Sequence, residues 1–520
     1  MERAAFAVLI AALLFAPAAQ GSTYPWSLLG LRLLVALALA LATLGALGRG
    51  WRAPPAPLAL ALGGYGLLVV LSALASPYAY GSWRDTQLVI TYALGFVLAA
   101  HLVRGPRRTT VFVAAALLSA AALAGYGLLQ AAGTSFTPSM SQRVSSTYYN
   151  PNHYAGFLDL MTPLALAYAL WARAPWLRVA AAVLSVALLA NVLLTFSRGG
   201  WVAVALASTG LALVWAAQGL RTPRPLGRTL ALLTLALVAV VAAWGASLTA
   251  PDLTARLLAR AERLQHDLTQ LDTFDRVILL RAGAEIVREA PLLGVGPGNF
   301  VDAITAHRPP EVEDRGGSMM HRFVNYAHND YLQVASETGL PSVALFLTFW
   351  ALVLVRRSPR ASPLRVGLRA GLVALLVHGL VDGNLTVIPS TAFLAYVAAG
   401  VLHARERDHD RASLGAQGRG VLHARDGSPA ARDTSAPTMR WREPVVKSVR
   451  GTATCQDRQA VGGDDGAVPS RRRRFGEAPI EQHRHRWREA MLRVGGHHVC
   501  PYTWLRVSYE ARGLRIDPTT

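Results

Sequence analysis

The sequence predicts an all-α integral membrane protein of about 12 transmembrane helices, with one large outer loop and a C-terminal tail that is largely disordered. Three observations predict it. Of the 520 residues 52% are hydrophobic and only 16% are charged, well below the roughly 25% charge of an ordinary soluble chain. Apolar runs near the roughly 20 residues that a spanning helix needs recur along the first four hundred positions. Arginine gathers in every second turn between those runs.

The runs lie near 4–19, 28–47, 57–76, 86–103, 110–131, 154–172, 178–196, 201–218, 229–249, 339–355, 364–381 and 387–403. The first could serve as a signal peptide, since "FAPAAQG" offers small residues for cleavage. Its apolar stretch fills a whole span, and it is taken here as a retained helix. Four segments follow: helices 1–9 over 1–249, a loop over 250–338, helices 10–12 over 339–403, and a basic tail over 404–520.

Loop charges set the orientation. Arg49 and Arg52, then Arg104, Arg107 and Arg108, then Arg173 and Arg178, then Arg221, Arg224 and Arg228, then Arg356, Arg357, Arg360 and Arg365 occupy alternate connections. The other short connections hold only Arg84, Arg143 and Arg198. The Arg-rich side is predicted cytoplasmic, and the long loop faces outward. The net charge of +20 therefore reads as topology plus a tail that can rest on anionic lipid, and not as a nucleic-acid face. Both cysteines, Cys455 and Cys500, lie in the tail, so no disulfide framework or cysteine metal site is available between the spans.

Within the long loop, 251–270 and 273–290 carry amphipathic helical periodicity, and "PLLGVGPGNF" reads as a tight turn after the second. That turn lacks the strand and the Lys-Ser/Thr of a phosphate-binding loop. The tail has no sustained period of 3.6 or 2.0, and it carries "SRRRRFG" and a partial repeat of "GVLHAR".

Four polar islands interrupt the apolar chain, and all fall on the predicted outer face. "SSTYYNPNHYAGF" has a turn at Asn-Pro-Asn, with Asn152 placed to cap a helix opening at His153. Tyr148, Tyr149 and His153 would suit sugar or headgroup contact. "LLTFSRGGWVA" sets Arg198 between two apolar runs; a guanidinium at that depth is costly and well suited to bidentate phosphate binding. "FDRVILLRAG" holds Arg276 and Arg281, which taken alone are ordinary charges on an amphipathic helix. "NYAHNDYLQ" gathers His328, Asn329 and Asp330 just before a span, where Asp330 suits a helix N-terminus and could also orient the His328 ring.

Taken together, "NPNHYAGFLDLMTPLALA", "LLTFSRGGWVAVALA", "RVILLRAGAEIVREAPLLGVGPGNF" and "AHNDYLQVASETGLP" resemble the O-antigen ligase and polymerase superfamily in order and spacing, over about 1–403. The resemblance implies a GT-C-like membrane glycosyltransferase, inverting and metal-independent, with no cofactor. Its donor would be a polyprenyl-diphosphate-linked glycan and its acceptor the lipid A core or another glycan, at the periplasmic face of a bacterial inner membrane. It also implies catalytic roles for Arg198, Arg276 and His328. Arg281, Asn152, His153 and Asp330 stand nearby as candidate substrate contacts. Two arginines can neutralise a diphosphate leaving group. An imidazole can take the acceptor's proton or bind the diphosphate, and the residues leave both roles open. Two departures stand out: Leu280 occupies a place where relatives often carry Trp, and no helical-repeat domain follows the last span. Polymerase and protein O-oligosaccharyltransferase activities share these motifs. A 12-span transporter is the competing class, disfavoured because the polar residues cluster in outer loops and not at a midplane.

Overall fold

The computed structural model of the protein describes residues 1–133, 143–219, 275–307, 326–355 and 362–404, with Ala255 and Ala259 as isolated helical positions. Among them the regular elements are helices: α1 (Glu2–Ala18), α2 (Pro25–Ala46), α3 (Ala56–Ala75), α4 (Ala79–Leu102), α5 (Gly105–Ala131), α6 (Pro151–Trp171), α7 (Pro175–Leu194), α8 (Arg198–Gly219), α9 (Asp275–Glu289), α10 (Phe300–Ala306), α11 (Asp330–Thr338), α12 (Leu340–Val355), α13 (Pro363–His378) and α14 (Pro389–Ala404). The predicted stretches near 229–249 and 251–270, and the tail beyond 404, lie outside the described residues.

Six helices, α2, α3, α4, α5, α7 and α8, are long and apolar enough to cross a membrane, while α12 and α14 are apolar but shorter. Their surfaces explain the composition. On α2, Leu31, Val35, Ala38 and Ala42 are buried, at the three- and four-residue spacing of one helix face. Leu29, Leu33, Leu37 and Leu44 on the other side are exposed, as suits a helix with lipid around it. Proline at the first position opens α2, α6, α7 and α13, where its missing N–H costs nothing. The first segment is built into the core: Ala5, Leu9, Ala12 and Ala16 are fully buried, and Pro17 O accepts from Thr147 Oγ1 at 2.8 Å.

Small residues let the central helices touch. Cβ atoms built at Gly367 and Gly371 of α13 would lie 2.8 Å from the Leu164 Cα and the Leu160 O of α6. This glycine pair, four residues apart, is the close-approach seam that membrane helices use in place of a hydrophobic driving force. A Cβ at Gly400 of α14 would lie 2.4 Å from Phe96 O on α4.

Among the described residues, two of the Arg-rich turns, those of Arg52 and Arg108, lie at the end of the bundle where α1 begins. Arg108 pairs with Glu2 at 3.6 Å, and the Arg52 N–H donates to His101 Nδ1 at 3.3 Å. At the other end α9, α10 and α11 close a small second core of Ala282, Ile286, Phe300, Ile304 and Ala327. The "GVGPGNF" turn sits here as a clamp. The N–H groups of Gly294, Val295 and Gly296 donate to the carbonyls of Ala290, Ser336 and Glu337. Asn299 Nδ2 donates to Ser76 and Ser82, both at 2.8 Å. Those N–H groups are committed to protein carbonyls, as the tight-turn reading requires.

Candidate active site

Three connections meet at the end of the bundle that carries α9–α11. Each contains a non-glycine residue in left-handed conformation: Ser146 (φ 51°) before α6, Phe196 (φ 50°) before α8, and His328 (φ 50°) before α11. Left-handed backbone is rare outside glycine and concentrates where the surroundings force it.

Arg143 ties the first two connections together. Its Nε donates to Thr195 O and an Nη to Asn152 Oδ1, both at 2.6 Å. The Val144 N–H adds a bond to Leu194 O at 3.1 Å. Asn152 is therefore not the helix cap. Asn150 caps α6 by accepting from the Asn152 N–H, because Pro151 already occupies the first helical position. Tyr148 also departs from expectation. It is buried against the Tyr154 and Phe157 rings, with its OH 3.0 Å from Ser390 Oγ, and does not face a substrate.

The first and fourth islands do meet. His153 Nε2 lies 3.3 Å from Tyr326 OH, and the Tyr326 ring packs on His328 with centroids 4.2 Å apart. His328 Nδ1 lies 3.1 Å from Asp382 Oδ1, whose carboxylate is nearly fully buried while the imidazole is 30% exposed. A buried carboxylate facing Nδ1 selects the tautomer with its proton there and leaves Nε2 as an acceptor. Asp330, expected to orient this ring or to meet substrate, instead turns inward. It is 0% exposed and accepts from Leu385 N, Thr386 N and Thr386 Oγ1. Burial pushes Asp330 up to about 7 against the pull of those donors. Asn329 caps α11 through Leu332 N and donates to Leu380 O.

The element that holds this arrangement is 379–388, "GLVDGNLTVI", which the sequence reading passed over. The predicted span 364–381 ran across its start, but α13 ends at His378. Its Asp382, Leu385 and Thr386 receive His328 and Asp330. Asp-Gly-Asn was the available signal: a turn between two spans with a carboxylate in it.

Arg198 opens α8 and is half-buried. A Cβ at the next residue, Gly199, would lie 2.5 Å from His378 Cδ2 and 2.8 Å from Val381 Cγ2. The Arg198 turn thus abuts the segment that carries Asp382. Arg276 belongs to the first turn of α9, and its side chain lies outside the described part of the structure. Its place along the helix is fixed by two registers. Gly283 of α9 abuts Leu332 of α11, and the turn after α9 bonds to the C-terminal end of α11. The helices run side by side in the same direction. Arg276, seven residues before Gly283 and so about 10 Å along the axis, lies toward the His328 end. Arg281 is exposed on the same helix.

Polar connections gathered at one end of an apolar helical bundle, around a half-exposed imidazole, define a multi-pass membrane protein with a site at its surface. Residues 183–347, under half of the chain, match the family model described as O-Antigen ligase (Wzy_C). The match takes in Arg198, Arg276 and His328 and stops short of Asp382. No curated protein matches the chain.

Proposed function

We propose that the protein is an inverting, metal-independent glycosyltransferase. It moves a glycan from a polyprenyl-diphosphate carrier to a hydroxyl of an acceptor such as the lipid A core, at the outer face of a bacterial inner membrane. The family match supports the class. The single observation that carries the mechanism is the His328–Asp382 pair, with a buried carboxylate behind a half-exposed imidazole at 3.1 Å.

The acceptor oxygen attacks the anomeric carbon, and the bond from that carbon to the diphosphate oxygen breaks with inversion. The diphosphate leaves with the bonding electron pair. Arg198 and Arg276 neutralise the charge that grows on it. His328 Nε2 takes the acceptor proton, and Asp382 stabilises the imidazolium through Nδ1–H. His153 and Tyr326 flank the imidazole and suit glycan hydroxyls. Asn152, committed to Arg143, shapes the rim, and Arg281 lends further positive charge. A polymerase would use the same groups with a glycan acceptor.

The test is reconstitution in nanodiscs with a polyprenyl-diphosphate glycan and candidate acceptors. Product should form with chelator present, and His328→Ala, Arg198→Ala and Arg276→Ala should each reduce it to background while the proteins still insert. Near-normal transfer by all three variants would sink the proposal, and product formed only with a divalent cation would sink the two-arginine mechanism.

A further inference from the structure

About 9 Å deeper along α6 than His153, at 1.5 Å per residue, a second imidazole–carboxylate pair lies inside the bundle. His378 Nδ1 is 2.5 Å from Asp159 Oδ2, and both side chains are 0% exposed. We propose that His378 and Asp159 form a positioning pair that sets the place of the Arg198 turn, and through it the grip on the donor diphosphate.

Stability does not account for the pair. An ion pair or polar pair this deep is commonly matched or bettered by apolar side chains of the same volume. Ionisable groups inside a membrane bundle are expensive and mark function. The geometry shows what this one controls. Asp159 fixes the ring through Nδ1, so the opposite edge, Cδ2 and Nε2, points at the Arg198 turn. A Cβ at Gly199 would lie 2.5 and 2.7 Å from those two atoms. The turn seats only because residue 199 has no side chain, and any rotation of the ring would displace it. Gly200 is also confined, with a built Cβ 3.0 Å from the Ala155 Cβ of α6.

His378 is also the last residue of α13, and the segment that follows holds the other reactive group. The Asp330 N–H donates to Gly379 O at 2.7 Å, and Asp382 meets His328. On α6, Gly156 and Asp159, three residues apart, both meet the stretch that opens at His378. A Cβ at Gly156 would lie 2.2 Å from Asn384 Oδ1. Among the described residues, Asp159 Oδ1 and both amide atoms of Asn384 are buried without a hydrogen-bond partner. Polar groups left so are retained for something other than packing. One stretch of nine residues, 378–386, therefore touches the Arg198 turn at one end and the His328 support at the other.

The inference rests on the reading of Arg198 as a donor ligand, and the test separates the two. Transfer is measured on the full chain in nanodiscs, as kcat/KM for a polyprenyl-diphosphate glycan, in Arg198→Lys, His378→Ala and the double variant. His378→Ala should lose about tenfold to a hundredfold, the scale of a small misplacement of a binding group. In the Arg198→Lys background the same change should cost no more than about twofold, since a residue acting through Arg198 has little left to position. Asp159→Asn, whose amide oxygen still accepts from Nδ1–H, should keep most activity, whereas Asp159→Ala should lose it. Losses that multiply in the double variant, or full activity in His378→Ala, would overturn the pair's role. If His378→Ala does not fold, equal activity in the two Asp159 variants overturns it, and a loss confined to Asp159→Ala upholds it. A fully active Arg198→Lys would fail the donor reading itself, and this inference with it.

Discussion

His328 Nδ1 and Asp382 Oδ1 stand 3.1 Å apart across 54 positions of chain, one side chain half-exposed and the other buried. Asp382 Oδ1 also accepts from the Gly383 N–H at 2.9 Å, which holds the carboxylate in place before the imidazole arrives. Asp382→Asn keeps the shape and removes the charge that would stabilise an imidazolium. The expected result is a fall in kcat on the order of a hundredfold with a small change in KM for the donor. Steady-state transfer assays check it, and an unchanged kcat would remove the base role from His328.

Arg143 acts as a strut between connections. Arg143→Ala strips partners from Thr195 O and Asn152 Oδ1. Each unmade bond of this kind costs about 1–3 kcal/mol. The expected outcome is a lower melting temperature in detergent together with reduced transfer. Intact stability with full activity would show that the two connections hold their places unaided.

Glu337 predicts a pH dependence. Burial, reinforced by the Asp85 carboxylate, pushes it from 4.5 up to about 8, against the N–H groups of Gly298 and Phe300 and the Gln333 side chain. The folded protein thus keeps a proton that the unfolded chain has released. The stabilisation is complete below pH 4.5 and is lost as pH rises through about 8. Glu337→Gln should melt higher than the parent at pH 9 and match it near pH 4. Asp330, raised from 3.8 to about 7 by burial, contributes a slope of the same sign that the Gln variant retains. Parallel melting curves across this range would refute the assignment.

Two glycines should respond differently. Gly339 has φ 86°, and a Cβ there would lie 2.1 Å from the Leu292 carbonyl oxygen, a backbone atom. Gly339→Ala should destabilise by roughly 1–3 kcal/mol through strain and collision. Gly283→Ala meets the Leu332 side chain, Cδ2 at 2.5 Å and Cγ at 3.0 Å, which can yield by changing rotamer, and gains helix propensity of about 1 kcal/mol. Its melting temperature should stay near the parent's. The reverse order would mean that α9 and α11 cannot yield at their contact.

The all-helical class was legible because membrane helices announce themselves by composition, with six described helices long and apolar enough to span where about 12 were expected, and the amphipathic period of 273–290 gave α9. His328 was legible as a polar residue in an apolar setting, and its placement before a helix was sound. The support around it was less so. The Asn150 cap was signalled by Pro151 yet assigned two residues late. Asp382 and Thr386 sat in an ordinary turn, and their partners His328 and Asp330 lie more than 50 residues away, a separation that local pattern does not encode. Tyr148 showed the same limit: an aromatic next to a polar island looks like an interface residue until its neighbours are known.

The carboxylates near the site are sorted by depth. Asp159, Asp330 and Asp382 are at most 1% exposed. The diphosphate proposed as donor would meet the half-buried Arg198 and the exposed Arg281 before these acids, each of which is held by at least one protein hydrogen bond. At the turn before α8 a guanidinium therefore stands in front of these three acids, while Glu285 and Glu289 of α9 are exposed beside Arg281. Capture of the donor should accelerate as ionic strength falls, leaving the chemical step at saturating donor indifferent to salt.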